Sequence, residues 1–459
     1  MSQSQINSTA ATFTSFNNNL FAFGSNAFGQ LGIGSKNDSN IPTRCIFSNN
    51  PKDIFDFPPK IIVGGGNHSA VITHNGELWM CGLNNHYQCS PFITSDDNNN
   101  ISINTEGKSD SIDIYHRVIL PEELSSSSKI NWHHVTCGWT FTIATTQKGT
   151  AYIFGKGNFG ELGCGKNIKT TNDQIFKISE ITNFQKVVCG LRHCIGLTKE
   201  GICYGWGSNR YGQLGLLAKN LEKDDDDKSS IKKKKKQNDN YCYFTPTRIE
   251  INQINEEKII DVVCGQNHSA VLTQGGDLYT FGLNKCGQLG YASPLKIQNC
   301  EIPRKVFNLP GSVLKISCGW NNTLVLCEDN NNYNKLFIWG RNDHGQLGRK
   351  NEFDEIDDTL NEEEGWISKP IPLYFLPHTL SSLPKDVEIN DFVCGSEHSL
   401  CIKKNDEFCE CFTWGWNEHG NCGSGNNIDQ WIPIRIIHEN TIIKGIGAGC
   451  GNSWIWTEQ

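Results

Sequence analysis

The chain has 459 residues, a formal net charge of −8, 37% hydrophobic residues, 45 glycines and 20 cysteines. That composition is globular, and its acidic balance gives no bulk attraction to nucleic acid or anionic lipid, whose phosphates select for Lys and Arg. No apolar run approaches a membrane span, and the first residues lack the basic start and apolar core of a secretory signal, so we expect no membrane insertion and a cytoplasmic location, shared or not with the nucleus.

Residues 1–17 are polar and read as a disordered N-terminus. From residue 18 onward two half-patterns alternate. One is an aromatic strand ending in Gly and a Gly-punctuated loop: Phe21 to Gly24, Trp79 to Gly82, Tyr152 to Gly155, Tyr204 to Gly207, Tyr279 to Gly282, Phe337 to Gly340 and Phe412 to Gly415. The other is a V-x-C-G-x-x-H-S-x-x-L-T run, two short strands about a turn, whose Gly falls at 65, 138, 190, 265, 319, 395 and 449. Between the halves of the most regular copy, Gln274 to Asp277 supplies a tight turn, because Gly accepts positive φ.

A fourth strand, often announced by Pro, is expected at 41–47, 117–121, 174–178, 247–251, 302–307, 371–375 and 431–436. Four-stranded units at a period near 50 residues predict an all-β, seven-bladed β-propeller forming a single unit over 18–459. The chain opens on the last two strands of a blade and closes on the first two, so one blade should be shared by the N- and C-terminal segments, leaving no unfinished sheet edge.

Spacings between the turn glycines alternate between 52–54 and 73–76 residues. The excess falls in three loop inserts near 90–115, 216–243 and 349–369, all expected on the face that carries the C-G-x-x-H turns. The second holds an acidic run beside Lys232 to Lys236, which reads as a self-neutralising loop or, alternatively, as an import or phosphate patch. The third pairs Glu362 to Glu364 with Trp366 and looks like a docking segment.

Five cysteines, Cys137, Cys189, Cys264, Cys318 and Cys394, share one repeat position, which places them in different blades and reads as small buried residues rather than a disulfide scaffold. Cys189, His193 and Cys194 lie together, but no Cys-x-x-Cys occurs and no metal site is expected. His68, His193, His268 and His398 also share one position and are expected to pin turns by hydrogen bonding. No catalytic triad or isolated acid pair stands out, and the Gly-rich loops lack the Gly-Lys-Ser/Thr ending of a nucleotide loop, so no covalent catalysis and no cofactor are expected.

Positions where the repeats disagree are free of the packing constraint. Trp139, Arg192, Trp320, Arg341, Asp343, His344, Glu397, Trp416, Glu418 and His419 fall in the C-G-x-x turns or just after the aromatic-strand Gly, and are the candidate partner-binding residues. The alternative for each Trp is loop packing within its own blade.

The G-Q-L-G and C-G-x-x-H-S halves resemble the regulator-of-chromosome-condensation repeat over nearly the whole chain. Blade-individual stretches such as Gly64 to Val71, Gly190 to His193, Trp339 to Lys350 and Trp414 to Gly420 are similar to the branch of secretion-regulating guanine nucleotide exchange factors. The resemblance implies a small GTPase or a trafficking partner of exocyst type, with possible guanine nucleotide exchange and a monomeric chain. A non-catalytic scaffold and a nuclear or chromatin-associated propeller are the alternatives. The N-terminal segment has no Lys or Arg before Lys36, so chromatin binding is not carried over and no direct nucleic acid contact is expected.

Overall fold

The computed structural model describes residues 19–48, 58–94, 101–103, 110–120, 130–178, 181–217, 241–251, 257–291, 298–329, 334–350, 360–361, 366–373, 388–404, 409–436 and 442–458. Seven antiparallel sheets, each built on four strands, form the propeller. Blade 1 runs from Pro59–Gly64 to Ser111–Arg117, blade 2 from Trp132–Cys137 to Phe176–Ile178, and blade 3 from Phe184–Cys189 to Cys242–Arg248. Blade 4 runs from Ile259–Cys264 to Asn299–Lys305, blade 5 from Gly311–Cys318 to Trp366–Pro372, and blade 6 from Glu388–Cys394 to Gln430–Ile436. In blades 1, 3 and 4 the strand after the C-G-x-x turn is buried at every position, because both its faces meet neighbouring blades.

Blade 7 is the shared one. Asn19–Gly24 and Ser39–Arg44 from the N-terminal segment pair with Ile442–Ala448 and Asn452–Glu458 from the C-terminal one. The seam inside that sheet is an unbroken ladder from Asn19 opposite Thr457 to Gly24 opposite Asn452, so the ring is closed by main-chain hydrogen bonds.

In six blades the fourth strand begins earlier than the Pro signal suggested, while in blade 2 it is Phe176–Ile178, two residues later than expected and without a register break. In blade 1 it is Ser111–Arg117, ahead of the expected 117–121 and inside the first insert range. The reason is a bulge at the aromatic-strand glycine. Gly82 faces Ile112 while Met80 faces His116, and the same break recurs at Gly24, Gly207, Gly282, Gly340 and Gly415. The positive φ of these glycines, +106° at Gly82, lets the ladder continue past the bend, so pairing starts opposite Gly. Of the three inserts, 95–100, 104–109, 218–240, 351–359 and 362–365 lie outside the described residues, as do residues 1–18 and Lys232 to Lys236. What is described of the first and third includes a two-stranded ribbon, Phe92–Thr94 with Ile101–Ile103, and a fifth strand on blade 5, Leu360–Asn361. Trp366, assigned to a docking segment on sequence, opens the fourth strand of blade 5 opposite Arg341.

Candidate partner-binding face

The first strands of the blades surround a central channel. Its mouth is a cavity of about 110 Å³ lined by the C-G-x-x turns, including Cys137, Cys189, Cys264, Cys318 and Cys394. These five cysteines occupy successive blades 2 to 6, with Gly64 and Ala448 completing the ring. All twenty cysteines are unpaired. Among the described residues no group of three or more His, Cys, Asp or Glu side chains could hold a metal ion, and no helix is long and apolar enough to cross a membrane.

The turn Gly is required by close approach around the axis. A Cβ on Gly395 would lie 2.6 Å from the Gly449 carbonyl oxygen of the next blade. That closeness allows a girdle of main-chain bonds. Gly66 N–H donates to Gly138, Leu191 to Gln266, Gln266 to Trp320, Trp320 to Ser396, Ser396 to Gly449 and Cys450 to Gly65, each across one seam. Among the described residues no such bond runs from blade 2 to blade 3.

The turn histidines do not pin their own turns, which main-chain bonds such as Gly190 N–H to His193 O already close. They tie four of the blades, 1, 3, 4 and 6, to the next, while Phe141, Asn322 and Asn452 stand at that position in blades 2, 5 and 7. His68 Nε2 lies 2.8 Å from Thr142 Oγ1, His193 Nε2 2.9 Å from Ser269 Oγ, His268 Nε2 3.2 Å from Thr323 Oγ1 and His398 Nε2 2.8 Å from Ser453 Oγ. Each hydroxyl also donates to a carbonyl of the preceding blade: Gln88, Gln213, Gln288 and Asn421. A hydroxyl has one proton to give, so it must accept from imidazole Nε2–H. The tautomer follows, and it agrees with a bare Nδ1 on all four rings. Burial lowers their pKa to about 3, and to about 4 for His398, which keeps the rings neutral at physiological pH.

With the His, Ser/Thr and Gln positions committed to these ties, two deviating positions are left on the surface, and they are joined. The N–H after each aromatic-strand Gly donates to the carbonyl of the last x in the C-G-x-x turn: Leu83 to Asn67, Lys156 to Thr140, Ser208 to Arg192, Leu283 to Asn267, Arg341 to Asn321, Trp416 to Glu397 and Ser25 to Gly451. All ten candidate residues therefore share one face, on which they form four groups.

At the axis Trp139 and Trp320, from blades 2 and 5, meet with ring centroids 6.3 Å apart. Trp139 is 42% exposed, an uncommon state for so large an apolar side chain. Between blades 5 and 6, Arg341 holds the Asp343 carboxylate, with Nε 2.9 Å from Oδ2, and reaches Glu397 Oε1 at 3.3 Å. Gln346 Nε2 donates to both acids at 2.9 Å. Burial raises the Glu397 carboxyl, whereas at Asp343 hydrogen bonds from Gln346 and Arg341 outweigh burial and lower it. Glu397 is itself buried, a brace for Arg341 rather than an exposed anchor.

Along the rim, His344 Nδ1 meets Asp429 Oδ2 at 2.8 Å and His419 Nδ1 meets Asp38 Oδ2 at 2.7 Å, while Trp416 packs edge-on against His419 and Glu418 is exposed beside them. Arg192 stands apart, its guanidinium 4.2 Å from the Phe159 ring centre. Sequence reasoning passed over Gln346, Asp38, Asp429 and Phe159, which hold these groups in place. It also passed over Glu161, the one acid at a position where five blades carry Gln30, Gln88, Gln213, Gln288 and Gln346, a departure readable from the repeats alone.

A seven-bladed propeller closed by a shared blade, with C-G-x-x turns gathered at the axis, defines a class of ring-closed repeat protein. The chain belongs to the RCC1-like domain family, whose model matches residues 19–455. It is similar to the secretion-regulating guanine nucleotide exchange factor of Mus musculus, 30% identical over 444 residues that cover 94% of this chain and 82% of that protein. Two solved structures share the fold: human WBSCR16, TM-score 0.73 at 18% identity, covering 96% of this chain and 99% of that one, and Prp20p from Saccharomyces cerevisiae, TM-score 0.71 at 18% identity, covering 96% and 91%.

Proposed function

We propose that this chain regulates a small GTPase, acting as a guanine nucleotide exchange factor-like protein linked to secretion or trafficking, and that it docks its partner on the face bearing Trp139, Trp320, Arg341 and Trp416. The observation that carries this reading is the match to a secretion-regulating exchange factor over 94% of the chain. The site supports it by offering the side chains typical of an interface anchor, large aromatics and an oriented Arg, around an axis that the blade ties leave accessible. The partner is a GTPase or a trafficking protein of exocyst type, bound by a monomeric propeller in the cytoplasm or nucleus.

An exchange factor must bind the nucleotide-free GTPase more tightly than the loaded one, and by linkage it weakens nucleotide binding equally. Release of labelled GDP from a panel of Ran, Rab and Ral-type GTPases, with and without the protein, tests the reading. Acceleration of at least one supports it. No acceleration at micromolar concentration, together with partners captured regardless of nucleotide state, would favour the scaffold reading instead.

A further inference from the structure

The seam between blades 2 and 3 is built differently from its neighbours. Its turn His is replaced by Phe141, its Gln by Glu161, and the hydroxyl that accepts the His elsewhere by Cys194. At that register the other six blades carry Ser69, Thr142, Ser269, Thr323, Ser399 and Ser453. The sulfur makes only a long contact with the Glu161 carbonyl, 3.6 Å, where Ser269 reaches its carbonyl at 2.8 Å. The axial girdle also lacks its bond here. This is thus the seam where the His–hydroxyl tie and the axial bond are both missing and a thiol takes the place of the hydroxyl.

Cys194 faces a second thiol. It pairs with Cys189 directly across the hairpin, and the two Sγ atoms lie 3.6 Å apart. The adjacent Gly190 N–H bonds to the His193 carbonyl, which makes Cys189 and Cys194 a non-hydrogen-bonded pair, the arrangement in which opposed side chains approach most closely, with Cα atoms about 4.5 Å apart. That spacing falls within the range a disulfide spans. Cys189 is half-buried and lines the axial cavity beside Trp139 and Leu191, while Cys194 is fully enclosed behind it. The cavity, about 110 Å³, accommodates a molecule of a few heavy atoms.

We propose that Cys189 and Cys194 are an oxidative modification site, converted by a small hydroperoxide into a cross-strand disulfide in the channel wall. The Cys189 sulfur attacks the peroxide oxygen, breaking the O–O bond to give a sulfenic acid and one water or alcohol. The Cys194 sulfur then displaces the hydroxyl from that sulfenic sulfur, forming the S–S bond and releasing a water. Two thiols lose two electrons and two protons, and the peroxide accepts them. Forming the bond draws Cys194 away from the Glu161 carbonyl, which keeps its bond from Trp206 Nε1 at 2.8 Å. Oxidation therefore loosens the seam without unfolding the blade.

Trypsin separates the pair, since Arg192 lies between the two cysteines: peptide 187–192 carries Cys189 and peptide 193–199 carries Cys194. The folded full-length protein is treated with increasing hydrogen peroxide, free thiols are alkylated, and the digest is analysed by mass spectrometry without reduction. The expected result is a cross-linked 187–192/193–199 species that accumulates before Cys286, half-buried like Cys189, is half oxidised, and that disappears on reduction. Cys194→Ser restores the hydroxyl of the other blades, so it should fold, lose the cross-link and leave Cys189 as a trappable sulfenic acid. The proposal is overturned if Cys286 is fully oxidised while both peptides stay alkylated, or if Cys189 is recovered as an isolated sulfenic or sulfinic acid in the wild-type chain.

Discussion

Glu161 gives the most direct test of the repeat logic. Its carboxylate takes the place of a Gln side chain, with Oε2 accepting from Phe159 N–H at 2.6 Å just as Gln346 Oε1 accepts from His344 N–H at 2.8 Å. The site was shaped for a neutral amide, and burial lifts the carboxyl from an ordinary 4.5 to about 7, with hydrogen bonds and the nearby Arg192 opposing the rise. The folded protein thus holds a proton that the unfolded chain has released. Stability from this group is present below pH 4.5 and is lost as pH rises through 7. The full difference corresponds to at most about 3 kcal/mol. Glu161→Gln removes the titration and keeps the accepting oxygen. Urea unfolding of both proteins at pH 5.5 and pH 8 should show the variant gaining on wild type by about 2 kcal/mol across that interval. All other groups are common to both and cancel. Two parallel stability profiles, with no widening toward high pH, would refute the buried-acid account of this seam.

Three further outcomes follow from the inter-blade ties and the exposed face. Ser269→Ala strips a partner from both the Gln213 carbonyl and His193 Nε2–H, and should cost about 2–4 kcal/mol in urea unfolding, with the hydrogen-exchange loss concentrated at the seam between blades 3 and 4. The turn histidines have folded pKa values of about 3 to 4, below the ordinary 6.5, so each contributes stability that is complete above 6.5 and falls on acidification; a thermal scan should show the melting temperature dropping steeply from pH 6.5 to pH 5. Changing Trp139, Trp320 and Trp416 together to Ala should weaken partner capture at least tenfold in a pull-down titration, and the circular dichroism spectrum should keep its β signature.

The fold was legible because each blade repeats the same demands: a Gly where turns meet at the axis, an aromatic strand ending in a Gly bend, and a chain whose two ends supply complementary halves of a sheet. The fourth strands of six blades were placed too late because Pro42, Pro246, Pro303, Pro370 and Pro433 sit inside these strands, on the stretch that the bulge leaves unpaired, whereas pairing begins further back, beside the Gly bend. The candidate face was partly legible. Deviation from the repeat located Trp139, Arg341 and Trp416, but could not distinguish Glu397, buried under Arg341, from an exposed acid, because that depends on Gln346 reaching across from another blade.

The histidines show why regularity and function separate in this molecule. His193 and His268 share a role because each meets a hydroxyl one blade away at hydrogen-bond distance, whereas blades 5 and 7 carry Asn322 and Asn452 at that position and the facing hydroxyls of Ser399 and Ser69 are kept. Nearest-neighbour coupling of this kind makes the ring's stability a sum over seams. One seam can then be weakened locally while the others hold the circle closed. Blades 2 and 3 are where that freedom is used: Phe141, Glu161 and Cys194 replace all three members of the tie together, and the axial girdle opens at the same place. A random loss would have left a stranded His or an unmet hydroxyl, each costing about 1–3 kcal/mol. Their joint replacement leaves neither, and in exchange places a thiol pair and a titratable acid beside Arg192 on the face that carries the other blade-individual residues.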